Sequence, residues 1–217
     1  MTPKTIKDPR QRILDAAISL FAKKGYAGAG VREIAKKANV NIAMISYYFE
    51  GKVGILKTII NEFHNQYNQV IKDAIDESLS PEECVRSIVL NIVNFVKTNP
   101  EITEVVFNAF PLDIPEVAKI KAERVSELVE GISGLMTRFD LDPKDGTLMS
   151  IIGPGVLSIV LAHFRFKTIQ KNVLKIELNN AFYERYTETL TTLLLHGITG
   201  IAAQTQKTKG NNNEKNS

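Results

Sequence analysis

The chain has 217 residues, of which 44% are hydrophobic and 24% charged. These proportions exclude a disordered, collagen-like or fibrous coiled-coil protein for most of its length, and the length suits one large domain or two small ones. The formal net charge of +3 is uneven: residues 1–52 carry ten Lys/Arg against four Asp/Glu, and residues 53–217 carry seventeen against twenty. A basic head on a mildly acidic body points to nucleic acid or an anionic surface.

Helices are expected throughout. Asp8-Pro9, Ser80-Pro81, Asn99-Pro100, Ile114-Pro115 and Asp142-Pro143 each put proline where a helix should begin, because its missing N–H is not needed at the first helical position. The first helix carries Ile13, Leu14, Ala17, Leu20 and Phe21 and stops at Gly25. Within Val31–Phe49, Ile34, Ala35 and Ala38 make one apolar face, and Asn39 can take the left-handed conformation of a tight turn. Val40 would plug that turn and Asn41 would cap the next helix through its side-chain oxygen. In that short helix, about Ile42 to Tyr48, Ile42, Ile45 and Phe49 are expected to face inward. Ala43, Met44, Ser46, Tyr47 and Tyr48 would face outward. A short second helix after such a turn suits the major groove. Tyrosine hydroxyls can donate to phosphate oxygens, and Lys36, Lys37 and Lys52 supply charge at the edges. Lys52 also lies near a helix start, where backbone N–H groups can hold a phosphate.

A long helix is expected from about Lys52, with Ile55, Leu56, Ile59, Ile60, Phe63, Tyr67, Val70 and Ile71 at helical spacing. The next run, from Pro81 to Val96, is rich in β-branched residues and could be a buried strand. Its length and the Ser80/Glu83 capping box argue for helix. A further helix follows Pro115, through Ile120, Leu128, Ile132, Leu135, Met136 and Phe139. Leu148–Phe164 is apolar but interrupted by Gly153-Pro154-Gly155. It is short for a membrane span of roughly 20 residues and reads as a buried helix pair or a kinked helix. The last helix should run from about Leu178 to Ile201. Residues 204–217 contain no aliphatic or aromatic residue and are expected to be a disordered tail.

The residues at 10–56 resemble the DNA-binding domain of the tetracycline-repressor (TetR) family of bacterial transcription regulators. Ile13-Leu14-Asp15-Ala16-Ala17 with Leu20-Phe21 is similar to its first helix, and Gly25-Tyr26 to the loop after it. Val31-Arg32-Glu33-Ile34-Ala35 is similar to the second helix, and Ala38-Asn39-Val40-Asn41 to the turn. Tyr47-Tyr48-Phe49 with Lys52 is similar to the end of the recognition helix and the start of the fourth. Three positions depart from the pattern: Asn39 stands where glycine is common, Ser46 where tyrosine is common, and Gly30 where a hydroxyl residue caps the second helix. The weight of the DNA contact therefore moves to Tyr47. Together with Lys36, Lys37, Asn41, Ala43, Met44, Ser46, Tyr48 and Lys52, it forms the expected DNA-binding set.

The resemblance implies an all-α protein of about nine helices. A three-helix helix-turn-helix DNA-binding domain (8–51) would precede a helical ligand-sensing and dimerisation domain (52–203). It also implies a homodimer, built on helices at about 155–166 and 178–200, that binds a double-stranded DNA operator. Tyr186, Leu190, Leu193, Leu194 and Gly197 form the expected interface stripe. A small-molecule effector pocket would draw on Phe63, Tyr67, Phe95, Phe107, Phe110, Met136 and His163. His163, inside an apolar run, also fits a hydrogen-bonded core histidine, and the aromatic residues also fit simple core. The competing reading is a helical enzyme or lipid-binding protein with an incidental basic N-terminus. Against it, His64, His163 and His196 have no metal-ligand spacing, and phosphate loops, GxSxG and CxxC motifs are absent. No cofactor or metal is implied. The single cysteine, Cys84, permits no internal disulfide, and Met1–Arg12 is polar with no signal-peptide core. A soluble cytoplasmic protein, with no membrane partner, is expected.

Overall fold

The computed structural model describes the backbone of residues 8–108, 111 and 113–214. Among the described residues there are nine helices and no strand. They are α1 (Pro9–Gly28), α2 (Val31–Ala38), α3 (Ala43–Phe49), α4 (Lys52–Lys72), α5 (Pro81–Thr98), α6 (Pro100–Asn108), α7 (Pro115–Arg138), α8 (Gly146–Leu174) and α9 (Asn180–Glu214). The chain divides into two compact units: the residues up to Gln69 with Thr98–Glu130, and Val70–Lys97 with the residues from Gly131 onward.

The first unit is built on α1, which packs on α2, α3 and α6. Ile13, Leu14, Ala17, Leu20 and Phe21 are buried, as their spacing predicts. Regular helix ends at Gly25, whose φ of 71° lies in the left-handed region that glycine alone enters without a Cβ penalty. On α4, Ile55, Leu56, Ile59, Ile60 and Phe63 are fully buried.

In the second unit, α5 is helical despite its β-branched run. The capping box closes reciprocally, with Glu83 N donating to Ser80 Oγ (3.2 Å) and Ser80 N to Glu83 Oε2 (2.8 Å). Its inner face is Cys84, Val89, Ile92, Val93, Phe95 and Val96. The Cys84 thiol donates to the Asp76 carbonyl (3.3 Å), and Arg138 Nη1 lies 3.5 Å from the sulfur. Arg138 also donates to the carbonyls of Asp76 and Leu79, tying α7 to the loop before α5.

Four of the five prolines open helices; Pro143 does not. Asp142 Oδ1 takes the Lys144 N–H (2.9 Å) in a turn, and Asp145 caps α8 by accepting from Thr147 N and Leu148 N. The α8 helix is also longer than the apolar run suggests, continuing through polar residues to a left-handed cap at Lys175 with Pro154 inside it. By length and composition alone it could cross a membrane. The α9 helix is interrupted at Gly197 (φ 66°, ψ −160°) and runs on to Glu214. The backbone of residues 204–214, expected to lack structure, thus continues that helix.

Candidate nucleic-acid interface

At seven residues, α3 is too short to hold helical form by itself. Three local features hold it. Asn39 sits at φ 52°, ψ 54°, and its N–H and that of Val40 bond back to the carbonyls of Lys36 (3.2 Å) and Ala35 (3.1 Å). That paired arrangement ends α2 in a Schellman motif, with asparagine in the place usually taken by glycine. Asn41 Oδ1 then accepts from Ala43 N (2.9 Å), the cap expected from the sequence. Finally, Ile45 (0% exposed) and Phe49 (4%) are buried, each contributing about 1.5–3 kcal/mol.

The opposite face of α3 is open. Tyr47 is 81% exposed, while Tyr48 and Met44 are half-buried and Ala43 and Ser46 exposed. The Tyr47 and Tyr48 rings meet edge-on at 5.0 Å, which limits where the Tyr47 hydroxyl can point. Ile42 corrects the sequence expectation: it is 44% exposed rather than inward. It lies between the cap and the first turn of α3, off the Ile45/Phe49 stripe. An apolar side chain there can meet a thymine methyl.

The basic residues are individually positioned. Lys52, at the start of α4, holds its ammonium 4.2 Å from the Tyr26 ring centroid and 6.0 Å from that of Phe21. Burial lowers its pKa. The Gly25 bend delivers Tyr26 to this contact, which gives the Gly25-Tyr26 pair its physical meaning. Lys37 Nζ donates to Ser19 Oγ (2.6 Å), and Lys36 is exposed. Lys37 and Arg12 border an open cleft of about 270 Å³ between α1 and α2. Arg12 also donates to the Asn39 carbonyl (3.1 Å), fastening the turn to α1. Sequence reasoning missed Arg12, because its partner lies 27 residues away.

Residues 13–59, spanning this helix-turn-helix, match the family model "Bacterial regulatory proteins, tetR family". The "Probable HTH-type transcriptional regulator YttP" of Bacillus subtilis is 33% identical over 168 residues, 70% of this chain and 81% of that protein. The chain belongs to the tetR family of bacterial regulatory proteins. It is a DNA-binding transcriptional regulator and not an enzyme. The "HTH-type transcriptional repressor NicS" of Pseudomonas putida is 29% identical over 92 residues, covering 42% of this chain and 43% of that one. Among solved structures, the fatty acid degradation regulator FadR of Bacillus halodurans aligns with a TM-score of 0.71 at 20% identity. The alignment covers 90% of this chain and 98% of that one. The transcriptional regulator FadR of Bacillus subtilis, solved in complex with stearoyl-CoA, aligns at 0.67 and 19% identity, covering 87% and 98%. These two share the fold.

The expected effector residues fall in both units. In the first, Phe63 stacks on Tyr67 (5.9 Å) and meets Phe107 edge-on (5.4 Å); burial raises the Tyr67 pKa. In the second, Phe95, Met136 and His163 are buried. His163 Nδ1 bonds Gln170 Oε1 at 2.8 Å, and its ring packs on Phe182 and Tyr186 at 5.4 and 4.6 Å. Burial lowers its pKa, and its Nε2 is buried without a hydrogen-bond partner. Phe110 lies outside the described residues. Of the expected interface stripe, Leu190 is 4% exposed and Tyr186 packs on His163 of its own chain. Leu193 and Leu194 are half-buried, and Gly197 marks the break in α9.

Proposed function

We propose that this regulator is a homodimeric repressor that leaves a palindromic operator when a small apolar or amphipathic effector binds its body. The observation that carries the reading is α3: a seven-residue helix with one face buried, the other open, and Tyr47 almost fully exposed at its centre. Lys36, Lys37, Asn41, Ala43, Met44, Ser46, Tyr47, Tyr48 and Lys52 form the DNA-contacting set. Residues 8–51 bind DNA, and residues 52–203 sense and pair. Two readers of this size, one helical turn of DNA apart, would recognise a palindrome.

Dimerisation is supported by α8, where Ile151, Ile159, Phe166, Ile169, Val173 and Leu174 are 40–70% exposed in the single chain. Ile159, Phe166, Ile169 and Val173 recur at helical spacing along one side. That stripe favours a second copy over lipid, since Arg165, Lys167 and Lys171 are interleaved with it. Tyr186, Leu193 and Leu194 on α9 would flank it. The aromatic groups at Phe63, Tyr67 and Phe107 support an apolar or amphipathic effector, and the stearoyl-CoA complex of the Bacillus subtilis FadR structure agrees with that chemistry. An effector dissociates the operator complex only through unequal affinity for the DNA-bound and free conformations. The protein acts in the cytoplasm, where its operator is.

The test is competition binding. A palindromic duplex from upstream of its own gene should bind selectively over bulk DNA, with affinity falling steeply as salt rises. If no duplex outcompetes bulk DNA, the reading fails.

A further inference from the structure

Ala43, Ser46 and Tyr47 are exposed neighbours on α3 at three- and four-residue spacing. Ile42 precedes them at 44% exposure, and Met44 is half-buried. In the major groove, guanine is gripped by Arg or Lys, adenine by Asn or Gln, and cytosine donates to Asp or Glu. Thymine alone offers a methyl group to an apolar side chain. Residues 42–49 contain no Arg, Lys, Asn, Gln, Asp or Glu.

The flanking polar residues add little to this face. Asn41 holds its Oδ1 on the Ala43 N–H (2.9 Å), so its amide can donate a bond but cannot grip adenine with both atoms. Glu50 stands past the end of the helix in left-handed backbone (φ 58°). Arg32, an exposed guanidinium suited to guanine, is on α2. The lysines are off the face as well: Lys36 and Lys37 belong to α2, and Lys52 opens α4. They suit phosphates, which supply affinity without sequence information.

We propose that Ile42, Ala43 and Met44 are the specificity-determining residues of α3, and that they read the C5-methyl groups of thymines. The base pairs under α3 in each operator half-site are then A·T, with thymine methyls directed at the helix. This deepens the DNA-binding reading above and rests on it. The free protein leaves nearly half of the Ile42 side chain in water, and contact with a methyl would bury that surface and the methyl together. Ala43 and Ser46 are small enough to let the helix approach the base edges closely. The Ser46 hydroxyl is neutral in the choice, because it can bond to several base edges. Tyr47 serves the phosphate backbone.

The test begins with the full chain selecting duplexes from a random pool. In a selected duplex each thymine is then replaced singly by deoxyuridine, which removes the methyl and leaves base pairing unchanged. Fluorescence anisotropy reads the affinity. At the positions under α3 each replacement should weaken binding about fourfold, the effect of burying one carbon; replacements elsewhere should be silent. Ile42→Ala should bind the thymine and deoxyuridine duplexes equally at one of those positions, with its salt dependence unchanged because no phosphate contact is lost. Met44→Ala should do the same at another. A change in duplex stiffness would instead persist in both variants. Indifference of the unmodified protein to every deoxyuridine, half-sites whose required base pairs are all G·C, or a thymine preference that survives both variants each overturns the proposal. A selected duplex that is insensitive to deoxyuridine leaves the regulator reading standing, whereas failure to select any duplex overturns both.

Discussion

Gly54→Ala is the substitution whose sign is least intuitive. Gly54 lies in the first turn of α4, where alanine would normally stabilise the helix by roughly 1 kcal/mol. Here a Cβ would stand 1.5 Å from the carbonyl oxygen of Phe49 and 2.7 Å from its carbonyl carbon. Contacts below 3.0 Å are not tolerated, and the obstacle is backbone, so no rotamer change relieves it. The end of α3 must move by about 1.5 Å or α4 must tilt. Overpacking of this kind costs about 1–3 kcal/mol or more. The upper end applies because Phe49 is itself buried, and the net effect is a loss of about 1–2 kcal/mol. Urea unfolding followed by circular dichroism would read it as a lower midpoint at unchanged slope, and operator affinity should fall because α3 is displaced. A variant as stable as the parent, or more stable by the propensity gain, would refute the reasoning.

Tyr47→Ala should weaken operator binding about tenfold or more while shifting stability by no more than about 0.5 kcal/mol, since the side chain is 81% exposed; gel-shift and thermal melts measure the two. Asn41→Ala removes the cap on Ala43 N and should cost about 1 kcal/mol in urea unfolding. Ile169→Glu with Val173→Glu should give a monomer in sedimentation equilibrium, because both are more than half exposed on α8 of the single chain; a persisting dimer would move the interface elsewhere. Burial first holds the His64 pKa down at about 4, so the unfolded chain binds the proton first; stability is present above about pH 6.5 and is lost as pH falls toward about 4. His64→Leu should flatten that part of the stability profile.

Local signals were legible in the sequence because their partners lie within a few residues. The Ser80/Glu83 box, the Asn39 turn, the Asn41 cap and four of the five proline starts all close rings of three to six residues. Pro143 misled because a second aspartate, Asp145, stands nearer the helix and takes the cap. Ile42 misled because it belongs to the turn, and helical periodicity does not govern a turn residue. The polar contacts of α4 with α7, Asn68 to Glu127 and Arg124 to Asn61, were illegible because they join side chains some 60 residues apart. Leu190 and Tyr186 lay on a stripe that helical spacing marks as apolar, but spacing does not say whose core the stripe enters.

One property of α4 reaches beyond packing. It is unbroken from Lys52 to Lys72, so Gly54, pressed on the end of α3, and His64 are carried on one stiff rod. Ten residues at 1.5 Å each separate them by about 15 Å, and a tilt of about 5° at one would swing the other by roughly 1.3 Å. With no side-chain layer between Gly54 and the Phe49 carbonyl to absorb that swing, this helix behaves as a lever without slack. The distance that would carry Tyr47 out of hydrogen-bonding range of a phosphate is no larger than that.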